Sequence, residues 1–129
     1  NFKEKPALEK PFEIGSFEVA GFGKIWVKKS KILTLKPGEL IISPQKLPKD
    51  AVWRFRERGD TFTKFGGGTK KLKDYLIDKK IPARLRDNLP VLASGKEILV
   101  IAGIEISEKV RTENGEVTVY KIISPLWKC

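Results

Sequence analysis

Histidine is absent from the 129 residues, and its absence excludes several common catalytic designs. Histidine is the usual general base near neutral pH and the commonest metal ligand in proteins. A Ser-His-Asp triad, a Cys-His pair and a histidine-ligated catalytic zinc therefore cannot be assembled from this chain. The sequence argues against an enzyme of these classes.

Cysteine and methionine are almost as scarce. The single cysteine is the last residue, Cys129, so there is neither a disulfide framework nor a cysteine-based metal site. This usage fits a reducing compartment, and we expect a cytoplasmic protein. Methionine is missing even at position 1. We therefore expect a fragment of a longer protein whose partner domain is missing.

Long apolar runs are also lacking. The longest nearly unbroken one, ILVIAGI at 98–104, is far shorter than the roughly 20 residues that a membrane-spanning helix needs. The first ten residues, NFKEKPALEK, are too highly charged for a signal peptide. The sequence predicts a soluble protein with no membrane partner.

Positive charge is abundant and concentrated in one segment. The formal net charge is +10, and residues 54–86 carry eleven basic against four acidic side chains, a local net charge of +7. A charge excess confined to one segment creates a local positive field, for which a polyanion is the natural partner.

The arrangement of apolar residues predicts one α+β domain that is mostly antiparallel. Residues 1–10 are charged and aperiodic, which is typical of a linker from a missing N-terminal region, and residues 11–129 form the domain. Short strand-like runs bounded by Gly, Pro and Ser indicate an antiparallel meander. These runs lie at 17–21, 24–29, 31–35 and 39–43.

Two helices interrupt this β pattern. The main helix is predicted to begin at Thr69, a favourable N-cap residue, because Leu72, Tyr75 and Leu76 follow with the spacing of one helix face. Pro82 suits the first turn of a short second helix.

Two turns are predicted in the C-terminal third. Ser94-Gly95 turns the run at 91–93 back onto the run at 97–103. Asn114-Gly115, a strong type I′ signal, joins 104–110 to 116–123 as a hairpin.

The glycine run at 66–68 invites a nucleotide-binding interpretation, which fails on inspection. The Walker pattern requires Gly-Lys-Ser/Thr, whereas Gly68 is followed by Thr-Lys. The segment 20–26 does not complete G-x-G-x-x-G, since Trp26 occupies the last glycine position. Two interpretations of the glycine run remain. Its backbone N–H groups bind an anion at a helix N-terminus, or it is a flexible loop before a capped helix.

Eight basic side chains are the candidate contacts to a nucleic-acid backbone. They are Arg54, Arg56, Lys64, Lys70, Lys71, Lys73, Arg84 and Arg86. Alternation along the strand at 51–56 predicts that Arg54 and Arg56 share its outward face. The planar fork of arginine suits phosphate oxygens. For the lysines, a plain solvated helix face paired with Asp74 and Asp78 is an open alternative.

Aromatic side chains within the basic segment offer a second type of contact, because bases stack on exposed rings. Trp53 and Phe55 share the predicted buried face of their strand and are expected in the core. Phe62 and Phe65 flank the glycine loop and are the candidates for stacking.

Four motifs in order resemble the C-terminal domain of bacterial tRNA(Ile)-lysidine synthase. They are R-x-R-x-x-G-D at 54–60, G-x-K-K-L-K at 68–73, I-P-x-x-x-R-x-x-x-P at 81–90 and VIAGIEISEKV at 100–110. The resemblance covers residues 50–111 well and the preceding meander loosely. It implies a three-layer, sandwich-like β domain of the kind also found in the phenylalanyl-tRNA synthetase β chain.

The resemblance also implies a function. The parent enzyme ligates lysine to the wobble cytidine of tRNA(Ile) with ATP, and this domain would bind and position tRNA, on the acceptor-stem side. ATP and Mg²⁺ are implied only for the N-terminal catalytic domain, whose S-G-G-x-D-S loop this chain lacks. We therefore expect the chain to be catalytically inert alone and to hold no cofactor. Its implied partners are tRNA(Ile) and that catalytic domain. The resemblance is also compatible with a parent enzyme that is a homodimer.

Two functions remain open on the residues. In the first, the basic segment grips the sugar-phosphate backbone of a tRNA helix and reads its shape. In the second, the chain is an interaction module that packs on the catalytic domain of its own enzyme, and its charge only maintains solubility.

Overall fold

The computed structural model describes residues 8–31 and 35–125 of the chain. This part contains eleven β-strands and two short α-helices. The strands are β1 (Glu9–Pro11), β2 (Gly15–Val19), β3 (Gly23–Ser30), β4 (Glu39–Ile42), β5 (Val52–Phe55), β6 (Thr61–Thr63), β7 (Thr69–Lys71), β8 (Pro90–Ser94), β9 (Glu97–Ile101), β10 (Glu105–Ile106) and β11 (Val119–Ile123). The helices are α1 (Leu72–Asp78) and α2 (Ala83–Arg86). The predicted α+β class, with one main and one short helix, is confirmed.

The larger sheet has the strand order β1-β5-β8-β9-β6-β7, and β10 also pairs with β9. Every pairing is antiparallel except that of β6 with β9, which is parallel. The sheet is therefore mixed but mostly antiparallel, as predicted. Strand β7 lies at one edge of this sheet.

The smaller sheet has the order β2-β3-β11-β4 and is antiparallel throughout. The predicted meander is wrong beyond the β2–β3 hairpin, because β11 inserts between β3 and β4. Its residue Ile122 lies opposite Val27 on one side and Leu40 on the other. The predicted strand at 31–35 falls mainly on residues 32–34, outside the described part of the chain.

Two hydrophobic clusters on opposite faces of the larger sheet establish three layers. In β8, Leu92 packs with Trp53 in the cluster that also holds the inner face of the smaller sheet. Its neighbours Val91 and Ala93 pack instead with Leu76 of α1. Successive strand residues point to opposite faces, so the larger sheet is the central layer between the helices and the smaller sheet. The three-layer expectation is confirmed.

A β-bulge adjusts the pairing of β8 with β9. Leu92 lies opposite Val100, whereas Ala93 lies opposite Ile98, so Leu99 is the extra residue. Leu99 and Val100 consequently both join the cluster facing the smaller sheet. Simple alternation along β9 does not anticipate this.

The predicted start of the main helix is wrong by three residues. Thr69 lies in β7, and its hydroxyl is 2.8 Å from the hydroxyl of Thr63 across the β6–β7 pair. Helix α1 begins at Leu72 after Lys71, which makes no side-chain cap. Pairing with β6 overrides the local preference of Thr69 for an N-cap. The three glycines accordingly form a hairpin turn and do not precede a helix.

Of the remaining predictions of local structure, two are confirmed and one is wrong. Helix α2 follows Pro82, and β8 and β9 form the predicted hairpin. The hairpin at Asn114-Gly115 is wrong, because β10 pairs with β9 whereas β11 belongs to the other sheet. A turn does form there, with the Glu116 N–H donating to the Glu113 carbonyl at 3.1 Å. Turn propensity is local and does not determine which strands the turn joins.

The N-terminal boundary needs a small correction. Glu9 and Lys10 belong to β1 and lie opposite Arg54 and Trp53 of β5. The predicted linker at 1–10 therefore includes two residues of the larger sheet. Residues 1–7 lie outside the described part. Neither helix within residues 8–31 and 35–125 has the length and apolar character needed to cross a bilayer.

Candidate nucleic-acid interface

Arg54 is a structural residue, and the prediction that it points outward is wrong. It is only 9% exposed, because β5 lies inside the sheet between β1 and β8. Its guanidinium makes a double hydrogen bond to Asp60, with Nη1–Oδ2 and Nη2–Oδ1 distances of 3.0 and 2.9 Å. It also donates to the carbonyls of Phe55 and Gly95 at 2.9 and 2.8 Å.

This ion pair shapes the loop between β5 and β6. The Asp60 side chain is 1% exposed, and its Oδ2 also accepts the Glu57 N–H at 2.7 Å. Hydrogen bonding to the Asp60 carboxylate raises the pKa of Arg54. A charge buried with such a partner holds the loop at 56–60 in one conformation. The two arginines of that loop, Arg56 and Arg58, are thereby positioned at the surface.

A cleft of about 630 Å³ opens beside this loop. The loop forms one wall, and the β7–α1 junction forms the other. The Leu72 N–H donates to the Asp60 carbonyl at 2.9 Å and joins the two walls. We call this cleft the basic cleft, and it is lined by Arg56, Glu57, Arg58, Gly59, Asp60, Lys71, Leu72, Lys73 and Asp87.

Three of the four cations in the basic cleft keep uncompensated charges. Arg58, Lys71 and Lys73 are exposed, and their side chains form no ion pair with any residue in 8–31 or 35–125. The fourth, Arg56, donates from Nε to Asp87 Oδ1 at 2.8 Å.

The acidic residues of the basic cleft are already engaged. Asp60 is paired with Arg54, and the Glu57 carboxylate lies 3.2 Å from the Lys96 ammonium. The net effect is a concave surface with positive charge available to an anion.

Arg58 was not among the predicted contacts. Arg58 is one of the unspecified residues in the R-x-R-x-x-G-D motif. It lines the cleft in the loop that the Arg54–Asp60 pair holds. The sequence offers no signal for this position, because the pairing of Arg54 with Asp60 depends on the fold.

A second groove, of about 350 Å³, lies on the other side of β7. We call it the Phe65 groove, and it is lined by Lys64, Phe65, Lys70, Tyr75, Asp78, Lys79 and Glu105. Lys70 is paired here with Asp78, and this hydrogen bond lowers the pKa of the Asp78 carboxyl. Lys70 and Lys71 alternate along the strand, so one faces the groove and the other the basic cleft.

The two aromatic stacking candidates have opposite environments. Phe62 is fully buried and packs on the Tyr75 ring at a centroid distance of 4.5 Å, so its prediction as a stacking residue is wrong. Phe65 is 45% exposed at the hairpin turn.

The two arginines of α2 line neither the basic cleft nor the Phe65 groove. Arg84 is exposed, whereas Arg86 is half-buried and donates from Nε to the Ile81 carbonyl at 3.0 Å. The eight predicted contacts are thus divided among four places. Arg56, Lys71 and Lys73 line the basic cleft, Lys64 and Lys70 the Phe65 groove, Arg84 and Arg86 lie on α2, and Arg54 is buried.

Fold and site together define a small three-layer, mostly antiparallel α+β domain with a cation-lined cleft on its helix side. Residues 51–122 match the family model described as the TilS substrate C-terminal domain. The chain belongs to this family.

Curated relatives agree with this assignment. The chain is 37% identical over 118 residues to the tRNA(Ile)-lysidine synthase of Caldanaerobacter subterraneus subsp. tengcongensis, covering 86% of this chain and 25% of that protein. It is 44% identical over 78 residues to the tRNA(Ile)-lysidine synthase of Clostridium tetani, covering 60% of this chain and 17% of the relative. The chain thus spans a quarter or less of the length of these relatives.

A solved structure matches the fold over nearly the whole chain. A crystal structure described as that of the TILS C-terminal domain superposes with a TM-score of 0.78 at 22% identity. The match covers 96% of this chain and 100% of that one. The architecture is therefore that of the family.

Proposed function

We propose that this chain is the tRNA-binding C-terminal domain of a tRNA(Ile)-lysidine synthase and that the basic cleft binds the phosphate backbone of tRNA(Ile). The observation that carries this proposal is the convergence of Arg58, Lys71 and Lys73, without ion-pair partners among the described residues, on one cleft. Arg56 adds a guanidinium that can exchange Asp87 for a phosphate. Charge-assisted hydrogen bonds of this type are the strong contacts to phosphate.

Recognition in this proposal depends on shape. The deep, narrow major groove of A-form RNA hides its base edges from side chains, so the domain contacts phosphates and riboses. Such contacts fix register and orientation without reading sequence. The basic cleft would take one backbone of a tRNA helix, on the acceptor-stem side. Binding there would hold the tRNA while its wobble cytidine reaches a catalytic domain.

The chemistry belongs to the rest of the enzyme under this proposal. The relatives are named for lysidine synthesis, in which lysine is joined to the tRNA, and ATP and Mg²⁺ would act in the catalytic domain. This chain supplies positioning only, in the cytoplasm, with tRNA(Ile) and its own catalytic domain as partners.

A matched pair of triple variants tests the proposal. The cleft variant combines Arg58→Ala, Lys71→Ala and Lys73→Ala, and the control combines Lys24→Ala, Lys28→Ala and Lys29→Ala on exposed positions of β3. Both remove three positive charges, but β3 lies in the opposite layer. We expect the cleft variant to bind tRNA(Ile) on the order of 100-fold more weakly in a filter-binding titration. The control should change less than about fivefold. Equal losses in the two variants would contradict the proposal.

A second candidate function, packing on the catalytic domain of the same enzyme, is favoured by the outer face of the smaller sheet. Trp26 is 49% exposed there, and the Lys24 ammonium lies 5.2 Å from its ring centroid. Its strand neighbour Ile123 is half-buried on the same face. If this face docks a protein, the β3 control variant should weaken association with the catalytic domain and leave tRNA affinity unchanged.

A further inference from the structure

The Phe65 groove carries positive charge and an exposed aromatic ring that the backbone-binding proposal does not use. It lies across the edge strand β7 from the basic cleft, because Lys70 and Lys71 point to opposite sides of that strand. Helix α1 borders both: Lys73 faces the basic cleft, whereas Tyr75 and Lys79, one turn apart, face the groove. The two sites are therefore neighbours on the helix side of the molecule.

Phe65 is held in place although it is exposed. The turn that carries it is closed by two hydrogen bonds, from the Gly67 N–H to the Lys64 carbonyl at 3.0 Å and from the Lys64 N–H to the Gly68 carbonyl at 3.3 Å. The Arg111 guanidinium lies 5.0 Å from the ring centroid and is itself paired with Glu108 at 3.0 Å. A cation over one ring face and a fixed turn give a stacking platform with little freedom to lose.

Cations and polar groups surround this platform. The Lys64 side chain forms no ion pair with any residue that the structure describes. The Lys79 ammonium lies 5.5 Å from the centroid of the Tyr75 ring. The Tyr75 hydroxyl is protonated at neutral pH, and burial raises its pKa still further from neutrality, to about 12. The carboxylates of Asp78 and Glu105 complete the lining as hydrogen-bond acceptors.

We propose that the Phe65 groove binds an unpaired nucleotide of the RNA, with its base stacked on Phe65 and its phosphate held by Lys64 and Lys79. Stacking on an aromatic ring tolerates any base, and flanking lysines follow the backbone, which is how single strands are bound in general. The carboxylates and the Tyr75 hydroxyl would meet the polar edge of the base. An apolar protein segment would cover the Lys64 and Lys79 ammonium groups without giving them a partner.

The groove is close enough to the basic cleft for one RNA molecule to occupy both. Lys73 and Lys79 are about 9 Å apart along the axis of α1 at 1.5 Å per residue. An RNA strand that leaves a duplex bound in the basic cleft can therefore cross the edge strand and enter the groove. This inference rests on the proposed function, since it assigns the duplex to one site and its single-stranded extension to the other.

Fluorescence anisotropy with two RNA probes tests the inference on the 129-residue chain. One probe is a blunt RNA duplex, and the other is the same duplex with a short single-stranded extension that carries 2-aminopurine. We expect the extension to tighten binding about 5- to 100-fold, the range for stacking one base, and to quench the 2-aminopurine fluorescence. Phe65→Ala should remove this gain and the quenching but leave affinity for the blunt duplex unchanged, whereas Phe65→Trp should retain both.

The control variant is Val117→Ala, which truncates another exposed apolar side chain. It should retain the gain. The inference is overturned if the two probes bind the wild-type chain equally, if Phe65→Ala keeps the gain, or if Val117→Ala loses it as well. A chain that fails to bind the blunt duplex contradicts the proposed function instead. Tighter binding of the extended probe that depends on Phe65 would then still support the groove.

Discussion

At the scale of single residues, two arginines of one motif have opposite roles. Arg54 is buried and makes a double hydrogen bond to Asp60, whereas Arg56, two residues later, is at the surface of the basic cleft. Removing one partner of a buried ion pair leaves the other charged and unpaired, which is costly. Arg54 therefore has a structural role, and under the proposed function it affects binding only through the conformation of the loop at 56–60.

We predict that Arg54→Ala lowers the free energy of unfolding by about 3–5 kcal/mol. The loss arises because Asp60 is left buried without its partner and the carbonyls of Phe55 and Gly95 lose their donor. Chemical denaturation followed by circular dichroism measures it. Arg58→Ala, at an exposed position of the same loop, is the control and should change stability by less than about 0.5 kcal/mol. Similar stabilities for the two variants would show that the Arg54–Asp60 pair does not hold the loop.

Residue identity in the sequence reveals charge but not pairing. The concentration of positive charge at 54–86 predicts one surface for eight basic residues, of which Arg56, Lys71 and Lys73 line one cleft. It could not show that Arg54 is neutralised, because that depends on a carboxylate folded back from position 60. Arg58 was overlooked for the same reason.

At the scale of elements, the turn between β9 and β10 of the larger sheet packs against the chain that follows β11 of the smaller sheet. Gly103 in this turn has φ of +76°, and a Cβ built on it would lie 2.6 Å from the Pro125 carbonyl oxygen. Pro125 follows β11 of the smaller sheet, with Ser124 between them. The turn of one sheet therefore contacts the end of the other at a distance that only glycine allows.

Gly103→Ala and Gly115→Ala form a matched pair for this contact. Both glycines have positive φ, +76° and +90°, but a Cβ at Gly115 would meet nothing within 4 Å. We predict a loss of about 1–2 kcal/mol for Gly115→Ala from backbone strain alone, and about 2–5 kcal/mol for Gly103→Ala, where backbone must also move. Thermal denaturation of both variants measures the difference. Equal losses would mean that the Gly103–Pro125 contact adjusts without cost.

Most elements were predictable, whereas their partners were not. The strands at 17–21, 24–29 and 39–43 and both helices follow from apolar spacing and turn residues. Thr69 pairs with Thr63, so a strand forms where the first helical turn was predicted. Strand β11 joins the smaller sheet, although the three other strands of that sheet all lie within residues 15–42 of the sequence. Both outcomes depend on tertiary contacts that local propensity does not contain.

At the scale of the whole molecule, the three layers separate the main hydrophobic core from the two candidate binding grooves. The cluster around Trp53 and Leu92 lies between the sheets, and the basic cleft and the Phe65 groove lie on the opposite side, beside α1. Cationic side chains can therefore be replaced there without opening the main core. The α+β class follows from the pattern of apolar runs, and the three layers follow from the family resemblance. Neither predicts that the basic segment is divided between two adjacent grooves and does not form one continuous surface.

The salt dependence of affinity for the blunt RNA duplex, which has no extension to enter the Phe65 groove, tests the central claim, that the basic cleft binds backbone phosphates. Each phosphate neutralised releases condensed counterions, so four contacts predict that log K falls with log salt at a slope of about −3.5. Replacing Arg58, Lys71 and Lys73 with alanine leaves Arg56 and should reduce the slope to about −1. Affinity that is independent of salt, or a slope that is unchanged in the triple variant, would contradict the account.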